Sequence, residues 1–309
     1  MNVCFVSQEI GKVPSGVISV LNNLVSNWNK KDKIFILLNN THWAFKPLRK
    51  SFYYNSNVEL ITLPFLLPSE DFSKLINSRS KIFHLFVKII IRPKRWISFF
   101  YSVYWLKRWL TNKSIDAVIS HNGGWPGGEL NRWAIWASKI SNIKYRYLVI
   151  HNVPWKVPYF YQIFEYFRNR SIEKNCSEII SVSESCAQSL KLGAYFKKTP
   201  RVIYNGITIP KEQKKYKSKW NGETVKIAFI GELHKRKGVH ILLKSLDCIN
   251  SPCELQIYGN GEKEYTNYLN TIAKSRKWET KFFGYCDNIQ KIYPQIDILV
   301  LPSLYLESF

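Results

Sequence analysis

Phe229-Ile230-Gly231-Glu232-Leu233-His234-Lys235-Arg236-Lys237-Gly238 is the segment of this chain best equipped to hold an anion. It follows an apolar strand-like run and opens a stretch in which Val239, Ile241, Leu242, Leu243 and Leu246 mark an apolar helical face. Glycine lets the chain turn sharply and brings backbone N–H groups close to a ligand, and the start of a helix beside three cations suits negative charge. A diphosphate is the natural guest. Taken alone, the segment reads equally well as an ordinary strand-to-helix turn with solvated lysines. Two further segments strengthen the first reading. Leu255-Gln256-Ile257-Tyr258-Gly259-Asn260-Gly261 is a second strand running into a glycine turn, and Pro302-Ser303-Leu304-Tyr305-Leu306-Glu307-Ser308-Phe309 leaves a third strand with a carboxylate, Glu307. Open α/β sheets bind ligands at the carboxyl ends of their strands, so these three loops are expected to converge on one crevice.

Two histidines end apolar runs in the first half of the chain, in Asp116-Ala117-Val118-Ile119-Ser120-His121 and Leu148-Val149-Ile150-His151-Asn152. An imidazole at a strand end facing a cleft is equipped to hold or move a proton near neutral pH, and is equally well suited to a structural hydrogen bond. Pro14-Ser15-Gly16-Val17 follows the first strand and precedes a helix carrying Val17, Val20, Leu21 and Leu24, which makes Gly16 a further candidate for close approach of backbone to ligand. The sequence contains no Asp-x-Asp, the paired carboxylates that hold a divalent ion against a diphosphate. Leaving-group charge would fall instead to Lys237, its cationic neighbours and backbone amides, with no metal or other cofactor expected. The six cysteines include no Cys-x-x-Cys pair and no paired spacing with histidines, so a disulfide framework or zinc site is poorly supported.

These residues need a scaffold of strands and helices. Short β-rich runs recur between helix-like segments at Val3 to Ser7, Ile34 to Leu38, Val58 to Leu63, Ala117 to Ser120, Tyr147 to Ile150, Ile179 to Val182 and Val202 to Tyr204. That alternation predicts a parallel sheet covered on both faces. Residues 210–224 are polar, lysine-rich and aperiodic, as expected of an exposed connection. The alternation then restarts with strands at Val225 to Ile230, Glu254 to Tyr258, Lys281 to Phe283 and Ile298 to Leu301, and helices at Val239 to Ile249 and near Glu262 to Arg276. The expected organisation is a first domain over 1–209, a linker over 210–224 and a second domain over 225–309.

Gly231-x-Leu233-x-x-x-Lys237-Gly238, Gly259-x-Gly261, Phe283-Gly284 and Pro302-Ser303-x-x-x-Glu307-Ser308-Phe309 together resemble the donor domain of the family 4 retaining glycosyltransferases. Tyr204-Asn205-Gly206-Ile207 is similar to the segment joining the two domains of that family, and Ile180-Ser181-Val182-Ser183-Glu184 to the strand-to-helix turn before it. The resemblance implies the GT-B fold, an α/β architecture of two Rossmann-like domains facing a cleft. It implies a nucleoside-diphosphate sugar as co-substrate, and a role in making a lipid-linked glycan, lipopolysaccharide or capsule precursor. By the same resemblance Gly16, Gly231, Arg236, Lys237, Gly259 and Glu307 would bind the donor, with Lys237 on its phosphates, and Glu307, His121 and His151 would face the transferred sugar. Family members usually carry arginine after the first glycine of the motif, where this chain has Glu232, and a second glutamate eight residues beyond Glu307. The chain is therefore expected to stop inside the donor domain. That expectation keeps two other readings open: a non-catalytic or remnant binding protein, and another nucleotide-sugar enzyme of this fold such as an epimerase.

A net charge of +23 calls for an anionic partner. Residues 72–115 carry ten Lys and Arg without one Asp or Glu, interleaved with Trp96, Phe99, Phe100, Tyr101, Tyr104, Trp105 and Trp109. The apolar run at 82–91 is too short to span a bilayer, which needs about 20 apolar residues, but its composition suits a helix lying at an anionic interface. Lys88, Arg92, Lys94, Arg95 and Trp96 are the expected membrane contacts, against the alternative of an ordinary amphipathic helix pair packed on the sheet. No nucleic-acid-binding module accompanies the charge. The N-terminal residues show no secretory signal, which makes the inner face of the plasma membrane the expected location.

Overall fold

The computed structural model describes residues 1–10, 16–70, 81–193, 195–207, 224–286 and 288–304, with the backbone alone for 81–95 and for Phe160. Contacts divide the chain into two compact units between Thr208 and Ile209. All but the last residue of the expected linker lies outside the described residues.

The first unit is built on a parallel sheet in the order β3-β2-β1-β4-β5-β6-β7. Its strands are β1 (Asn2–Ser7), β2 (Lys33–Leu38), β3 (Val58–Thr62), β4 (Ala117–Asn122), β5 (Tyr145–Ile150), β6 (Glu178–Ser181) and β7 (Arg201–Val202). The continuous apolar runs of β1 and β2 are those of strands buried on both faces, and alternate residues divide between two cores. Val3, Phe5, Ile34 and Ile36 pack with Ile18, Leu21 and Val25 of α1 (Gly16–Ser26). Cys4, Val6, Phe35 and Leu37 pack on the other face with α3 (Lys81–Asn112) and α4 (Glu129–Ile140). Between these helices in the chain lies the short α2 (Phe45–Ser51), and after them α5 (Tyr159–Asn175) and α6 (Glu184–Leu192). β4 runs two residues beyond the expected end, because His121 pairs in register with Ser7 and Val149 on its two neighbours.

Within the basic aromatic block, residues 72–80 lie outside the described residues, and residues 81–112 form one helix, α3. Its inward residues Val103, Leu106 and Leu110 are buried in the core, with Phe99, Trp105 and Trp109 packed against it. Among the described residues no helix is long and apolar enough to cross a membrane.

The second unit has a parallel sheet in the order β10-β9-β8-β11: β8 (Val225–Ile230), β9 (Cys253–Tyr258), β10 (Thr280–Gly284) and β11 (Ile298–Leu299). Phe229, Leu255 and Ile257 bury against Val239, Leu242 and Leu243 of α7 (Val239–Ser245) and Tyr265 and Leu269 of α8 (Lys263–Lys274). α7 is shorter than expected, giving way at Leu246 to a 3₁₀ turn.

Candidate functional site

In the second unit the strand order reverses between β8 and β11, the switch point at which such sheets receive ligands. The loops after β8, β9 and β11 meet there backbone to backbone. A Cβ on Gly259 (φ +140°) would stand 1.8 Å from the Gly231 carbonyl oxygen, and one on Gly238 (φ +68°) 2.0 Å from that of Pro302. The N–H of Leu233 donates to the carbonyl of Asn260 at 2.9 Å, and that of Leu304 to the carbonyl of Arg236 at 2.9 Å. Side chains are excluded from these crossings, so the three loops present their main chain at one place.

The cations at the rim are not equivalent. The His234 imidazole accepts from the Arg236 N–H and caps the 3₁₀ turn Lys235–Lys237, which leaves Lys235 and Arg236 exposed and Lys237 half-buried. Arg236 pairs with Glu232 at 2.9 Å. Its charge is thereby shared with a carboxylate on the same loop. Glu307 lies outside the described residues.

In the first unit His121 and His151 come together. The rings stack with centroids 5.1 Å apart, and His121 Nδ1 lies 2.8 Å from His151 Nε2. Burial, and secondarily the neighbouring His151, holds His121 well below the ordinary imidazole value, and burial pushes His151 down to about 4. Both rings are therefore neutral at pH 7 and share one N–H···N bond. His121 Nε2 is buried and makes no hydrogen bond among the described residues. It is a donor if His151 supplies the shared proton and an acceptor if His121 does. An unpaired buried nitrogen of this kind costs about 1–3 kcal/mol, so a polar ligand group reaching it would recover that energy. The pair borders a cavity of about 660 Å³ over the β4–β7 face, walled mainly by apolar residues such as Leu24, Ile119, Val149 and Ile180. Gly16 is the exposed first residue of α1, and a Cβ there would meet nothing within 4 Å.

The sequence reading missed the residues that hold His121 in place. Asn131, fully buried on α4, donates to the His121 carbonyl at 2.8 Å and to Ser120 Oγ at 2.9 Å. Gln8, just past β1, accepts from the Leu130 N–H at 2.7 Å and so fixes the start of that helix. A polar residue amid the apolar positions of Trp133, Ala134 and Ala137 was the available signal. Of the expected membrane contacts, Trp96 is 67% exposed on α3. Lys88, Arg92, Lys94 and Arg95 belong to the same helix, and their side chains lie outside the described residues. Among those residues no group of three or more His, Cys, Asp or Glu is placed to hold a metal ion.

Residues 210–309 match the sequence model of the family "Glycosyl transferases group 1". A glycogen synthase of Petrotoga mobilis is 33% identical over 82 residues, which are 26% of this chain and 17% of that protein. The structure of Anabaena Alr3699/HepE in complex with UDP and glucose superposes with a TM-score of 0.64 at 17% identity, over 100% of this chain and 76% of the other. The lipopolysaccharide outer core galactosyltransferase WaaB superposes with a TM-score of 0.59 at 15% identity, covering 98% and 74% of the two chains. S. aureus TarM does so with a TM-score of 0.61 at 13% identity, over 99% and 81%. The fold is that of the GT-B glycosyltransferases, and the second unit carries the group 1 glycosyltransferase domain.

Proposed function

We propose that this chain is a glycosyltransferase that moves a sugar from a nucleoside-diphosphate donor to a lipid-linked glycan, or to a lipopolysaccharide or capsule precursor, with retention of anomeric configuration. One observation carries the proposal: the backbone crossing of three loops at the switch point of the second unit, with Lys237 half-buried at its rim. Amides and Lys237 neutralise the departing diphosphate, and Glu307, placed by its motif, supports positive charge developing on the sugar. A neutral His121 directs a hydrogen bond to a sugar hydroxyl and carries no charge of its own. UDP is the first nucleotide to test, since the HepE structures similar to this chain contain it.

Lipid-linked acceptors reside at membranes, and the acid-free segment 72–115 fits a peripheral seat on an anionic leaflet. The outward residues Trp96, Ile97, Phe100, Tyr101 and Tyr104 of α3 are each more than half exposed, which supports that seat. Titration calorimetry tests the donor site. Lys237→Ala is expected to weaken UDP binding by about 1.5–3 kcal/mol, the scale of a charged hydrogen bond. An unchanged affinity overturns the assignment.

A further inference from the structure

We infer that α5 is a second lipid-contacting element, so that the chain meets an anionic membrane surface through two helices and not through α3 alone. The inference rests on the membrane reading just given and adds to it a surface that the acid-free block does not include.

The amphipathicity of α5 is inverted. Among its described side chains the buried positions of the first three turns are Glu165 and Asn169, 8% and 1% exposed, followed by Ile172. The opposite side of the helix is apolar. Residues four apart on a helix lie in one row, which places Tyr159, Ile163 and Phe167 above one another, with Phe164 and Tyr166 on either side of that row. These five residues are 87%, 60%, 65%, 62% and 47% exposed, respectively. With about 200 Å² for a side chain of this size, they leave roughly 600 Å² of apolar and aromatic surface in water. That reaches the upper end of the largest patch found on monomeric proteins, and such patches mark interaction sites.

The inward polar stripe explains why the helix nevertheless holds its place. Glu165 accepts from buried Arg132 of α4 at 3.2 Å and pairs with Arg168 of its own helix at 2.5 Å. Burial is the main cause that lowers Arg132 to about 10, which keeps it cationic at neutral pH. An ion pair therefore anchors α5, and its aromatic residues are left for something outside the unit.

Charge identifies that partner. Both carboxylates of α5 are engaged: Glu165 as above, and Glu173 by Arg170 and the backbone N–H groups of Lys197 and Lys198. On α5 and the segment leading into it, the exposed charged groups, Lys156, Lys174 and the Glu165-paired Arg168, are all cations. Aromatic residues interleaved with cations suit the boundary between headgroups and acyl chains, where rings bury and phosphates attract the basic side chains. The helix also shares a neighbour with α3. α4 is almost wholly buried between the two helices: Phe99 of α3 packs on Trp133 and Trp136, while Glu165 of α5 meets the adjacent Arg132. The outward rows of α3 and α5 thus flank one buried helix on the same side of the sheet.

Vesicle flotation tests the inference, using phosphatidylethanolamine vesicles with and without phosphatidylglycerol. Replacing Ile163, Phe164 and Phe167 together by Gln is expected to raise the apparent Kd for anionic vesicles at least about tenfold. The unfolding midpoint and the affinity for UDP should not change. The single variant Phe167→Glu, which places an anion in the row, should also bind anionic vesicles more weakly. If both variants float like the wild type, the inference fails. A separate variant with Lys88, Arg92, Lys94 and Arg95 changed to Ser distinguishes the sources of such a result. Loss of binding there, with none in the α5 variants, leaves α3 as the seat and removes α5. Wild-type protein that ignores phosphatidylglycerol overturns both. A wild-type dimer that the triple variant converts to monomer, with vesicle binding unchanged, assigns the face to a second copy and overturns the lipid assignment.

Discussion

His121 and His151, carried by neighbouring parallel strands, share a single 2.8 Å hydrogen bond between buried imidazoles that are both neutral at physiological pH. Each ring restricts the other, since only one can supply the shared proton. The arrangement therefore ties the polarity of His121 Nε2 to the shared proton: it is a donor if His151 supplies that proton and an acceptor if His121 does.

That relationship makes stability depend on pH with a definite sign. The unfolded chain carries ordinary imidazoles near 6.5, whereas folded His151 titrates at about 4. Between those values the unfolded state binds more protons, so stability is constant in this respect above about 6.5 and falls as pH drops toward 4. His151 alone is expected to remove about 2 kcal/mol between pH 7 and pH 5, with His121 acting in the same direction. Urea unfolding of wild type and His151→Gln at both pH values measures it. An equal pH dependence in the two proteins would mean that the pair is not buried and neutral.

Two glycines are expected to respond in opposite ways. Ala at Gly259 would force a Cβ to 1.8 Å from the Gly231 carbonyl oxygen on a backbone with φ +140°. A loss on the order of 3 kcal/mol in the second unit, together with weakened UDP binding, is expected. Ala at Gly16 meets nothing within 4 Å at the start of a helix, and stability should stay within about 0.5 kcal/mol or rise. Thermal unfolding of the two variants, side by side, checks both.

Most of the scaffold could be read in the sequence because parallel strands buried on both faces are written as continuous apolar runs, such as Val3 to Val6 and Ile34 to Leu38. The glycine turns were equally plain, since the close backbone approaches at Gly238 and Gly259 admit no other residue. Helix α5 could not be read in this way. Its buried stripe contains Glu165 and Asn169, so a search for apolar residues at helical spacing finds the outward face and assigns it to a core. Only the partner, Arg132, shows which side is in, and that residue lies 33 positions earlier in the chain. The last two residues of β4 were hidden for a related reason: His121 and Asn122 are polar and follow the apolar run, and only their pairing with Ser7, Val149 and Ile150 draws them into the sheet.

Metal dependence follows from the residue types available to the leaving group. On the function proposed above, the absence of Asp-x-Asp from the sequence would leave Lys237, and not a divalent ion held by paired carboxylates, to carry the charge against a diphosphate. Transfer from a UDP-sugar is expected to survive excess chelator. Activity abolished by chelation and restored by manganese or magnesium would reverse this mechanistic assignment.

The pair joining α4 to α5 gives a prediction about the fold itself. Arg132 donates from Nη1 to Glu165 at 3.2 Å, with both side chains about one-tenth exposed, and its guanidinium also lies over the Trp125 ring at 5.0 Å. Cutting it to Ala strands Glu165 beside a cavity, and Arg168, 45% exposed on the solvent side, compensates only in part. Removing one member of a buried pair typically costs 3–5 kcal/mol, so a loss of about 3 kcal/mol is expected here. Replacing both members, Arg132→Met with Glu165→Leu, removes the charges together and should recover most of that loss, because a buried pair is often no more stable than apolar residues of similar volume. A double-mutant cycle by chemical denaturation decides. If Arg132→Ala costs less than about 1 kcal/mol, the pair does not anchor α5, and the outward aromatic face of that helix would need another cause.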